Sequence, residues 1–132
     1  MEITIVTAKI AKELDFDWPC EVAYNTKAFT NRYANKEKGQ YVLGGYRNKH
    51  PILVSLPLQS KLASWIRTKH KLYIEVYPVQ RNKLSGSMTL FNWKMKKLNI
   101  KNRMQTRISG DSHVTYELAL EEALEMTLKY IK

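Results

Sequence analysis

Lys71-Leu72-Tyr73-Ile74-Glu75-Val76-Tyr77-Pro78-Val79 alternates strictly between two kinds of side chain. Leu72, Ile74 and Val76 fall on one side, and Tyr73, Glu75 and Tyr77 on the other. A period of two belongs to a strand whose successive side chains point to opposite faces of a sheet. A second alternating run, Met88 to Met95, follows a connection from Gln80 to Ser87 that contains Gly86. Two such runs so joined predict a β-hairpin with a longish loop. A further strand near Arg103 to Ser109 is an optional addition. Lys94 to Lys101 between them is too basic to bury and is expected as an exposed turn. Gly110-Asp111 is expected to end the sheet.

Helical periodicity flanks this hairpin. Before it, Leu56-Pro57 is expected to open a helix, because proline is tolerated in a first turn, and Ser55 is expected to cap it. Leu58, Leu62, Trp65 and Ile66 then share one face. After the hairpin, Thr115 is expected to cap a helix running to Ile131, with Tyr116, Leu120, Ala123, Leu124, Leu128 and Ile131 on its apolar face. Its glutamates lie early and its lysines late, which complements the helix dipole.

Nearer the N-terminus, a helix is expected from Thr4 to Leu14, with Val6, Ile10 and Leu14 inward; a short strand from Glu2 to Val6 competes with it. Pro19 forces Trp18 to extended geometry and breaks the helix. Strands are expected at Glu21 to Asn25 and Tyr41 to Tyr46, the second interrupted by Gly44-Gly45, which read as a bulge. Thr26 to Gln40 between them is expected to be a long mobile loop. The expected order is α-β-β-α-β-β-(β)-α, an α+β fold of one domain over residues 1–132, with a mainly antiparallel sheet and helices packed on one face.

With 44% hydrophobic residues the chain can fill a core, which argues against wholesale disorder. No apolar run reaches bilayer-spanning length, and the first residues do not resemble a signal peptide, so a cytoplasmic location and no membrane partner are expected. Cys20 is the only cysteine. An intramolecular disulfide is therefore impossible, and a half-buried small hydrophobe is the expected role. The net charge of +10 is unevenly distributed. The segments Met1–Glu21 and Asp111–Lys132 each carry −3, and the stretch between them +16.

Three segments carry a resemblance: Leu14-Asp15-Phe16-Asp17-Trp18-Pro19-Cys20, Leu56-Pro57-Leu58-Gln59-Ser60-Lys61-Leu62-Ala63-Ser64-Trp65-Ile66-Arg67 through Ile74-Glu75-Val76-Tyr77, and Thr115-Tyr116-Glu117-Leu118-Ala119-Leu120-Glu121-Glu122-Ala123-Leu124. Together they resemble a group of small α+β proteins of Bacteroidetes genomes and their phage-like elements. The matching residues are helix faces, a cap and a turn. The resemblance implies scaffold and a mobile-element origin; it brings no activity, and the basic stretch from Met88 to Arg107 lies outside it.

No sequence pattern specifies a reaction. His50, His70 and His113 stand apart, without HxH, HExxH or a Cys/His cluster, so no metal site and no cofactor are expected. Glu121-Glu122 reads as a solvated helix face. No phosphate-cradling glycine loop surrounds Gly44-Gly45. The one constellation with chemical content interleaves cations and aromatics. Tyr73 and Tyr77 share a strand face, Phe91 and Trp93 share another, and Lys94, Lys96, Lys97, Lys101, Arg103 and Arg107 follow without an intervening acid. Cations neutralise phosphates and exposed rings stack on unpaired bases, so these ten residues form the candidate site for single-stranded nucleic acid. The alternative partner is an acidic protein docked on the same charge. Strand preference accounts for the aromatics and solubility for the cations without any partner.

Overall fold

A computed structural model describes residues 1–25, 41–46, 53–83 and 86–132. The chain divides into two compact units, Met1–Leu58 and Gln59–Lys132. The α+β class stands, with antiparallel sheets and helices packed against them. The expected loop from Thr26 to Gln40, like His50, lies outside the described residues.

The first unit holds helix α1 (Ile5–Glu13) and strands β1 (Cys20–Asn25), β2 (Tyr41–Tyr46) and β3 (Leu53–Ser55), in sheet order β2-β1-β3. Thr4 caps α1, its hydroxyl accepting from Thr7 N–H. The buried face of α1 is Thr7, Ala8 and Ala11, whereas Val6, expected inward, is 57% exposed. Small side chains seat this helix, so the large apolar residues misplace its face. Asp15 takes a positive φ of 64° to turn the chain out of the helix. Two residues of β2 stand opposite Glu21, a bulge at Gly44-Gly45 as the glycines suggest. Cys20 is buried and its Sγ donates to Trp18 O.

Ser55 does not cap a helix. It pairs with Ala23 in β3, and Leu56 N–H donates to Val22 O, so the chain is still sheet where a helix was expected to begin. A three-residue strand leaves too little alternation to read, because its partner lies far away in sequence.

The second unit runs α2 (Gln59–His70), β4 (Leu72–Lys83), β5 (Gly86–Leu98), β6 (Met104–His113) and α3 (Tyr116–Ile131). Its sheet order is β4-β5-β6, antiparallel throughout. Leu62, Trp65 and Ile66 of α2 are buried as expected; Leu58 precedes the helix and is exposed. Helix α3 packs across all three strands, and α2 packs against β4 and α3. Thr115 caps α3 by accepting from Leu118 N–H. Ala119, Leu120, Ala123, Leu124, Thr127 and Leu128 are buried, while Tyr116 is exposed at the end of the stripe.

The hairpin is longer than expected. Pairing of β4 with β5 continues to Lys83 opposite Gly86, so most of the supposed loop is strand. The supposed turn at Lys94 is strand as far as Leu98. The true turn is Asn99 to Arg103, fixed by Asn99, whose Oδ1 accepts from Lys101 N–H and Arg103 N–H. Strand β6 runs past Gly110 to His113. Gly110 sits opposite Trp93, and a Cβ there would overlap the Trp93 ring and lie 2.7 Å from Glu122 Oε2. The indole fits because this residue has no side chain.

Candidate nucleic-acid interface

Regular register between β4 and β5 sorts the candidate residues by face. Leu72, Ile74, Val76 and Pro78 oppose Lys97, Met95, Trp93 and Phe91. Tyr73, Glu75 and Tyr77 oppose Lys96, Lys94 and Asn92. Alternation then puts these two sets on opposite sides of the sheet.

The first set faces α3. Trp93 is 2% exposed and its Nε1 donates to Glu122 Oε2 at 2.6 Å. His113 Nε2 lies 2.5 Å from the same oxygen. Phe91 packs edge-on against Tyr116 of α3, with ring centroids 6.2 Å apart. Trp93 is therefore a core anchor and does not offer a ring to a base, and Phe91 is engaged on the same side. Lys97 ends this side, lining a cleft of about 320 Å³ with His70, Leu72, Tyr130 and Ile131. Burial, and then the neighbouring Lys69 charge, holds the His70 imidazole below its ordinary pKa; its ring meets Trp65 edge-on at 4.9 Å.

Glu122 was expected on a solvated face. Instead it joins strand to helix, and its carboxyl is held below the usual glutamate range. The Trp93 hydrogen bond is the largest cause, His113 adds to it, and partial burial opposes both. Glu121 is also engaged, accepting from Gln59 Nε2 at 3.4 Å. These roles are not legible in sequence spacing, because each joins strand or helix to a distant glutamate.

The second set forms the other side of the sheet. Tyr73 and Tyr77 are half-buried there, four residues apart on β4 with Glu75 between them. Lys96 Nζ lies 2.8 Å and Lys94 Nζ 3.7 Å from Glu75 Oε2. Lys94 Nζ also stands 5.0 Å from the centre of the Tyr77 ring. The Lys96 hydrogen bond, with Lys94 beside it, holds the Glu75 carboxyl below its usual range despite some desolvation. Lys101 and Arg103 are exposed in the turn, and Arg107 is exposed at a β6 register shift, between the residues opposite Met95 and Lys96.

The ten sequence candidates thus separate. Tyr73, Tyr77, Lys94 and Lys96 come together on one side; Lys101, Arg103 and Arg107 lie at the turn and the bulge; Phe91, Trp93 and Lys97 belong to the helix side. Sequence reading missed Glu75 as the carboxylate that organises two of the lysines, although its alternation with Tyr73 and Tyr77 placed it on their face. It also missed Arg81, exposed near the hairpin tip. From Val76 to Gly110 the sequence has no acidic residue at all. Among the described residues, no group of acidic, histidine or cysteine side chains could hold a metal ion, and no helix is long and apolar enough to cross a membrane.

No family model, curated protein or solved structure matches this chain.

Proposed function

We propose that the chain is a non-enzymatic nucleic-acid-binding protein that engages single strands through the β4–β6 sheet on the side away from α3. The separation of charge in the second unit carries this reading. The α3 carboxylates belong to the helix side, and the side bearing Tyr73 and Tyr77 presents Lys94 and Lys96, flanked by Lys101, Arg103 and Arg107. Phosphate contacts supply the affinity and the two tyrosines a sequence-tolerant stacking surface. Affinity is then on the order of micromolar or weaker at physiological salt, and log affinity falls with log salt.

Fluorescence anisotropy with labelled oligonucleotides at two salt concentrations tests it. Lys101, Arg103 and Arg107 are exposed, and their joint change to Glu should abolish binding while leaving the melting curve in place. Lys96 is less suitable for such a test because Glu75 already holds it. No binding by the unaltered chain at low salt, or binding indifferent to the triple change, sinks the proposal. Co-purification with an acidic protein, lost on the same change, would move the cations to protein docking.

A further inference from the structure

Strand β6 pairs with β5 only from Phe91 to Leu98. The β4–β5 ribbon continues past it for five paired positions, Val79 with Leu90 through Lys83 with Gly86. At about 3.4 Å per residue this is an arm roughly 17 Å long. Leu90 is buried at its root, and beyond it Gln80, Arg81, Asn82, Gly86, Ser87, Met88 and Thr89 are all exposed. A two-stranded ribbon without a covered face contributes little stability by itself, so packing does not account for its length.

Its two sides differ in chemistry. Gln80 Nε2 donates to Thr89 Oγ1 at 2.7 Å across the ribbon. Asn82 and Ser87, two positions further, oppose each other on that same side. One side is thus amides and hydroxyls. Arg81 and Met88 occupy the other, and Lys83 adds a second cation to the arm's sequence, which has no carboxylate.

We propose that this arm enters the major groove of duplex DNA, with the Gln80, Asn82, Ser87 and Thr89 side toward the base edges and Arg81 toward the phosphates. A groove about 12 Å wide admits a two-stranded ribbon, and amide side chains are the ones that pair with adenine edges there. An arm whose sequence has two cations and no carboxylate suits a polyanion and not an acidic-and-basic protein surface. The inference rests on the nucleic-acid reading above and adds to it a second ligand form, the duplex, and a separate contact surface.

The test compares duplex and single-stranded oligonucleotides of one sequence, using the full chain, the double variant Gln80→Ala/Asn82→Ala, and Arg81→Glu. Because all three residues are exposed, melting curves and Trp fluorescence should not change. Both variants are expected to weaken duplex binding about tenfold or more, as loss of base or phosphate contacts would, and the Gln80→Ala/Asn82→Ala variant to change single-strand affinity by less than about twofold. Equal loss on both ligands with the Gln80→Ala/Asn82→Ala variant, or no loss of duplex binding with either variant, overturns the arm and leaves the sheet surface standing. Failure of the unaltered chain to bind either ligand removes both proposals. A change in sedimentation with duplex affinity untouched would overturn the arm in favour of strand pairing between copies along the uncovered β5 edge.

Discussion

Both sides of the β4–β6 sheet are built from the same three strands, and they put alternate residues to opposite uses. On the α3 side, Trp93 and Met95 are buried, and one carboxylate, Glu122, serves both an indole and an imidazole. On the other side, Glu75 is exposed and holds two lysines, Lys96 by a charged hydrogen bond and Lys94 beside it. The first arrangement loses its partners with the fold. On the proposed reading, the second exchanges Glu75 for a phosphate with the fold unchanged. In a sheet covered on one side, stability and recognition can therefore be altered separately, one residue apart.

The sharpest way to break this comparison is Trp93→Ala. It removes a buried ring and leaves Glu122 without its principal donor, so a loss of about 3–5 kcal/mol is expected in denaturant unfolding. A loss under about 1 kcal/mol would mean that the α3 side is not the core.

Acid comes next. The Glu122 carboxyl titrates lower in the folded chain than in the unfolded one. Its contribution is complete above the ordinary glutamate value and is lost as pH falls through the folded value. Glu122→Gln should therefore lower the melting temperature at neutral pH, and the gap from the unaltered chain should close as pH falls below the ordinary glutamate range and through the folded value. His70 has the same sign but acts nearer neutrality, since its imidazole is also depressed; it is common to both chains and drops out of the difference. A gap that widens on acidification would contradict the linkage between Trp93, His113 and Glu122.

The smallest expected effect on stability is also the most informative about function. Glu75→Gln should leave the melting temperature unchanged within error, since exposed ion pairs contribute little. It should tighten nucleic-acid binding by releasing Lys94 and Lys96. Weaker binding after this change would mean that Glu75 positions the lysines for the ligand and does not compete with it.

How much of this could be read in advance follows from where the determining contacts lie. Helix α3 is legible, since Leu120, Ala123, Leu124 and Leu128 recur at helical spacing, and Thr115 and the early glutamates mark its start. The centre of α2 and the alternation of β4 are equally local. Strand β3 is not, because Leu53 to Ser55 become sheet only through Ala23 to Asn25. The face of α1 misleads because alanine and threonine fill it. The run after Trp93 was misjudged from its charge. Lys94 and Lys96 alternate with Met95 in the same rhythm as the rest of β5, and that rhythm outweighs the cations. For the candidate site, the sequence correctly put Tyr73 and Tyr77 on one face. It could not show that Trp93 is held by a glutamate 29 residues later.

Gln59 has a consequence for synthesis. Buried at the first position of α2, it donates through Nε2 to Glu117 O at 2.9 Å, a residue 58 positions further along. The start of α2 is thus held by the first turn of α3. A ribosome adding about 5–20 residues per second makes that partner roughly 3–12 s after Gln59. Until then α2 lacks one of the elements it packs against, and the nascent unit presents apolar surface to whatever chaperone or neighbouring chain is near. The arrival of α3 thus decides how long α2 stays vulnerable.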